Sequence, residues 1–140
     1  PAVHLHPVPR ERFEILAGQA RYEVGGVQKD ARPGDLIEMP VGVPHRHPWS
    51  ASNEVMRMRH LVDLEQADSA HTIATEQFFE RIFHLARLGK TDRTGMPNLL
   101  HFAIIAYPTL PLTLLPGLPA AVQVPVVGAV ATVGRWFGYR

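Results

Sequence analysis

Apolar and polar positions divide the chain into two regions with different periods. From Glu11 to Asp63 the period is two. Glu11-Arg12-Phe13-Glu14-Ile15-Leu16 places Glu11, Phe13 and Ile15 on one face of an extended segment. Gly18 breaks that run and Gln19 to Val24 resumes it. Gly25-Gly26 is a two-residue hairpin signal, since both positions tolerate positive φ, and Val27 to Ala31 is the return strand. Arg32-Pro33-Gly34-Asp35 predicts a tight turn. Leu36 to Met39 is then a short strand, ended by Pro40-Val41-Gly42-Val43-Pro44. His45-Arg46-His47-Pro48-Trp49 predicts a strand with His45, His47 and Trp49 on one face. Glu54 to Asp63 also alternates, setting Met56, Met58, His60 and Val62 against Val55, Arg57, Arg59 and Leu61. Short strands at this spacing predict a mainly β sandwich or small barrel.

After Asp63 the pattern becomes helical. Thr75 is placed to cap a helix running from Glu76 to Arg87, with Phe78, Phe79, Ile82, Phe83 and Leu85 on a broad apolar side and Gly89 as its stop. Leu88 to Asn98 reads as a polar connection, and Leu99 to Ala106 as a shorter helix ended by Pro108. Between Arg93 and Arg135 there is no charged residue. Pro108, Pro111, Pro116, Pro119 and Pro125 interrupt this region, so no apolar span of about 20 residues emerges. Val122 to Val133 is expected to pack on protein; the alternative is membrane contact through residues 99–140, with Arg135-Trp136-Phe137-Gly138-Tyr139-Arg140 at the interface. The expected organisation is a β domain over residues 1–65 and a helical extension over residues 66–140.

Composition narrows the function classes. A formal charge of +1 with scattered basic residues argues against nucleic acid as a partner. The chain has no cysteine, which removes disulfides and thiolate metal sites and fits a reducing, cytoplasmic setting. It opens at Pro1, close to the first candidate ligand, and a ligand strand needs neighbours on both sides. The expectation is that further N-terminal strands precede it, and that without them a sheet edge is exposed.

The candidate chemistry lies between His4 and Trp49. His4 and His6 are two apart, so on extended backbone both imidazoles face one way. Glu11 follows after four residues and a turn through Pro7 and Pro9, and Gly18 after six more. A second pattern runs Gly34, five residues, Pro40, one residue, Gly42, two residues, His45. Three imidazoles and a carboxylate form a mixed nitrogen and oxygen set, suited to one divalent transition metal among Fe, Mn, Ni, Cu and Zn. Four protein ligands leave one or two positions open for chemistry. Glu11 doubles as a candidate base. Phe13, Met39, His47, Met56, Met58 and His60 are the candidate substrate pocket, and its apolar members favour a partly apolar small molecule. His71, His84 and His101 show no spacing that suggests a site.

These two patterns resemble the paired motifs of the cupin superfamily, over roughly His4 to Val62. The first motif matches at His4, His6, Glu11 and Gly18, and the second at Gly34, Pro40, Gly42 and His45. The chain departs from the second motif at Trp49, where asparagine is common. The resemblance is to a single-domain, type-2-like cupin with a helical C-terminal extension. It implies a jelly-roll β-barrel with His4, His6, Glu11 and His45 on a metal inside it, and a homodimer joined through an outer sheet face. Its members include dioxygenases, isomerases and sugar-binding regulators, so fold alone does not choose among them. The expected function is a metal-dependent oxygenase or isomerase acting on a small molecule; the alternative is a non-catalytic ligand-binding or sensor domain, membrane-associated if the uncharged tail meets a bilayer.

Overall fold

The computed structural model describes residues 2–65 and 68–139. Pro1, Gln66, Ala67 and Arg140 lie outside the described residues, Arg140 among them as the last member of the aromatic terminal sextet. The chain divides into two compact units, Pro1–Ala67 and Asp68–Arg140.

The first unit is built from six antiparallel strands: β1 (Arg10–Ala17), β2 (Ala20–Val24), β3 (Val27–Ala31), β4 (Leu36–Met39), β5 (His45–Ser50) and β6 (Arg57–Asp63). They form two three-stranded sheets, ordered β4-β1-β6 and β3-β2-β5. Alternation along β1 buries Glu11, Phe13 and Ile15, as the period of two requires. Ile37 and Met39 join Phe13 and Ile15 from the first sheet, while Ala20 and Ala31 close the core from the second. Tyr22 and Val24 of β2, with Met56, pack against this core at its margin.

The turns set the register. Gly25 and Gly26 both have positive φ, 59° and 79°, which gives the β2–β3 hairpin the twist its strands need. The Arg32–Asp35 turn is tied to β1, because Gly34 N–H donates to Ile15 O at 2.9 Å and Ile15 N–H donates to Asp35 O at 3.0 Å. Gly18 reverses the chain between the two sheets with φ of 76°, and a Cβ there would lie 2.8 Å from Val55 O. Both problems are backbone problems, so no side-chain movement relieves them. Gly18→Ala is expected to cost about 2 kcal/mol or more of stability. Chemical denaturation measures this, and an unchanged midpoint would contradict the tight crossing.

One strand departs from simple alternation. Between Arg21↔Trp49 and Glu23↔Arg46 the ladder of β2 and β5 shifts by one residue, so His47 and Pro48 together oppose Tyr22. This bulge accommodates a proline that has no N–H to give. It also inverts the faces beyond it. Trp49 does not share a face with His45 and His47; it turns outward beside Arg46, whose guanidinium lies 5.5 Å from the indole centroid.

The second unit contains α1 (Ser69–Arg87), α2 (Leu99–Ala106), a 3₁₀ turn (Tyr107–Thr109) and α3 (Ala120–Trp136). The first helix begins six residues before Thr75, because Asp68 caps it by accepting from His71 N–H at 2.8 Å. Thr75 instead donates its hydroxyl back to His71 O within the helix. The second helix has the expected bounds, with Asn98 accepting from His101 N–H as its cap. Ala103 and Ile104 of α2 pack on Ala131 of α3, with Val127, Val130 and Tyr139 around them. Pro125 stands inside α3 at an exposed position. Along the other side of α3, Val122, Val126, Val133 and Trp136 are exposed. Among the described residues, no helix is long and apolar enough to cross a membrane.

Candidate metal centre

Three segments of the first unit carry the candidate ligands. The His4 segment pairs with the start of β5 through two backbone bonds, His4 N–H to His45 O at 3.0 Å and His45 N–H to His4 O at 2.8 Å. The Pro40–Pro44 turn is held under this pair by Gly42 N–H, which donates to His6 O at 2.8 Å. His45 therefore enters directly across from His4. Glu11 comes from the inner face of β1, next to Phe13, and is 2% exposed; His45 is 1% exposed.

The side chains converge on one carboxylate. Oε2 of Glu11 lies 2.9 Å from His47 Nε2, 3.2 Å from His45 Nε2 and 3.3 Å from His6 Nε2. Oε1 takes the Nε2–H of His60 at 2.9 Å. The His4 ring sits edge-on to three others, with centroids 4.9 Å from His6, 4.6 Å from His45 and 4.5 Å from His47. One donor atom each from His4, His6, Glu11, His45 and His47 falls within 4.8 Å of all the others. That is a spacing a single cation can bridge.

Two of the imidazoles are oriented as candidate ligands. Nδ1 of His45 lies 2.9 Å from Val43 O, and Nδ1 of His4 lies 3.0 Å from Ala2 O. A carbonyl oxygen only accepts, so in each ring Nδ1 carries the hydrogen and a neutral ring directs its Nε2 lone pair to the centre. For His45 this brings a lone pair against Glu11 Oε2 at 3.2 Å. Two acceptors facing each other need a proton or a cation between them. The residues present therefore fit a divalent metal on the chemistry of their own hydrogen bonds.

Proton affinities point the same way. Burial, followed by the neighbouring His47, pushes His4 down to about 3, so it is neutral at ordinary pH. Burial likewise lowers His47, against the opposing pull of Glu11. Burial by itself would raise the Glu11 carboxyl, but its contacts with His45, His47, His6 and His60 outweigh that and hold it far below the ordinary carboxylate range. Neutral imidazoles and an ionised carboxylate are the forms that bind metal.

The sign for stability follows. Below about pH 6.5 the unfolded chain binds protons that native His4 and His47 refuse, and below about pH 4.5 it binds one that native Glu11 refuses. Both effects destabilise as pH falls. The metal-free protein is thus expected to lose about 1.4 kcal/mol per pH unit for each such proton on acidification from neutrality. Melting temperatures measured with a chelator present test this, and a flat profile between about pH 7 and 5 would refute it.

The structure brings His4, His6, Glu11 and His45 together, and adds His47 to them. Its signal was available as a histidine two residues after His45 on the same strand. His60 reaches the same carboxylate from β6, where it pairs with Phe13 and stacks on the Phe13 ring at 4.3 Å. Phe13 and Met39 are buried in the core with Met56 against them. Met58 is more than one-third exposed.

A family model for the cupin domain matches residues 1–64. No curated protein matches the chain. Among solved structures, the chain is similar to a provisionally assigned sugar phosphate isomerase from Acidithiobacillus ferrooxidans. The identity is 21% over 43% of this chain and 38% of that one, with a TM-score of 0.40. The chain thus spans well under half the length of that protein. Two three-stranded antiparallel sheets, the paired motifs and the matching family model agree that residues 1–64 carry a cupin domain.

Proposed function

We propose that the first unit binds one divalent transition metal through His4, His6, Glu11 and His45 and uses it on a small oxygen-bearing molecule, as a metal-dependent oxygenase or isomerase. The carrying observation is the donation of Nδ1–H by His4 and His45 to the Ala2 and Val43 carbonyls, which commits both Nε2 lone pairs to the centre. A bound ion of this kind supplies Lewis acidity to a coordinated oxygen. The protein's part is to hold donors, exclude water and orient the substrate. Phe13 and Met39 keep the floor of the centre apolar, which favours a partly apolar substrate. Glu11 acts as a ligand; to serve as a base it must first leave the imidazoles that keep it ionised. The reading includes the jelly-roll barrel, with the two sheets as its walls.

A second reading, a non-catalytic ligand-binding or sensor domain, is favoured by the number of side chains crowding the centre, which leaves few positions for reactants. Turnover of no candidate substrate by a fully loaded protein that still binds small molecules would select it.

The test is metal content by mass spectrometry of purified protein and of its His6→Ala and His45→Ala variants. Near-stoichiometric metal in the parent and little in either variant is expected. Iron would favour oxygen chemistry, while zinc or manganese would favour the isomerase. A parent that takes up no metal after reconstitution would overturn the proposal.

A further inference from the structure

Resting on the metal-binding reading, we infer that this centre uses five protein donors rather than four, with His47 as a fourth imidazole ligand and His60 as the residue that restricts Glu11 to one oxygen.

The two additional histidines touch opposite oxygens of Glu11, and that division separates their roles. His47 approaches Oε2, the oxygen on which His6 and His45 also converge. It stands two residues after His45 on β5, before the faces invert at Pro48, so the two rings project side by side, 5.8 Å apart and inclined by only 14°. Its ring is as close to His4 as the His45 ring is, 4.5 Å against 4.6 Å. Its donor atom meets the same mutual-distance condition as the other four. A histidine on the rim would meet none of these conditions.

His60 belongs to a different geometry. It comes from β6, the neighbour of β1 in the other sheet. It touches Oε1 at 2.9 Å, and its ring lies flat on Phe13, inclined by 13°. It is not among the side chains whose donor atoms lie mutually within reach. With Nε2–H bound to Oε1, it holds that oxygen away and fixes the carboxylate plane. Glu11 then offers Oε2 alone. His60 is a positioning residue, and His47 a ligand.

The consequence concerns the ligand class. Four imidazoles and one carboxylate oxygen leave a single position on an ion that takes six donors, where four protein donors leave two. The centre would then accept a small molecule through one atom and reject chelating ones unless His47 withdraws. His47 would set the specificity of the site.

The experiment loads the full chain with Cu²⁺ and counts coupled imidazoles by pulsed EPR, in the parent and in His47→Ala. Four in the parent and three in the variant are expected, with bidentate tropolone binding at least tenfold tighter to the variant. Three in both would overturn the inference while leaving the metal reading intact, and a parent that binds no Cu²⁺ would sink both. For His60, Co²⁺ affinity is read in His60→Phe and His60→Gln. A loss of about 10–100-fold in the phenylalanine variant is expected, with recovery in the glutamine variant, which keeps an N–H donor. Unchanged affinity in His60→Phe, or no recovery in His60→Gln, would remove the positioning role.

Discussion

Adding a divalent transition metal to the metal-free protein is expected to raise its melting temperature, and Glu11→Gln is expected to abolish most of that rise. On the proposed metal-binding role, metal would bind the native constellation and find no comparable site in the unfolded chain, so binding free energy would become folding free energy. Free metal at about 1,000 times its dissociation constant would contribute about 4 kcal/mol. Glu11 is the one carboxylate at the centre among the described residues, and its Oε2 is the atom on which His6, His45 and His47 converge. Glutamine keeps the shape and one acceptor oxygen but removes the charge. Each tenfold loss of affinity then takes about 1.4 kcal/mol from the shift at fixed metal. Calorimetry with graded metal, and again with a chelator, measures it. Parent melting that ignores both would mean that the cluster is held together by hydrogen bonds alone.

Phe13→Ala is expected to cost about 3–5 kcal/mol. The ring is fully buried and lies at the middle of the core formed by the two sheets. One face supports the His60 ring at 4.3 Å, and His47 lies 4.9 Å away. The change therefore removes both core volume and the surface that orients two histidines. Phe13→Leu separates the effects: it refills most of the volume and should cost about 1.5 kcal/mol or less. It restores no flat surface, so metal affinity should fall in both variants. Denaturant midpoints and metal titrations read the two quantities independently. A cost for Phe13→Ala below about 1 kcal/mol would show that the site collapses around the loss.

Much of the candidate centre was legible because its rules are local. His4-Leu5-His6 needs only the period of two, and Glu11, Phe13 and Ile15 follow from the same period on β1. The hairpin at Gly25-Gly26 and the turn at Arg32–Asp35 rest on φ preferences carried by single residues. The helix Leu99–Ala106 was bounded by Asn98 and Pro108, each of which acts within one turn.

Where the reading departed from the structure, a longer-range or competing interaction decided. The first helix starts at Ser69 because Asp68 outcompetes Thr75 as a cap, and the polar Ser69–Thr72 stretch carries little periodicity of its own. Trp49 faces outward because β2 runs alongside and forces a bulge at His47-Pro48; Pro48 was the available warning. α3 continues through Pro125, since packing of its Val127, Val130 and Ala131 side against α2 offsets one missing hydrogen bond.

The sequence by itself determined which donors exist, their alternation along each strand and the match of residues 1–64 to the cupin domain. The tertiary structure decided which of six histidine and carboxylate side chains meet. His47 and His60 reach Glu11 from β5 and β6, 36 and 49 residues away along the chain. Periodicity states which face a side chain takes. Only the pairing of strands distant in sequence brings two such faces to within 3 Å of the two oxygens of one carboxylate.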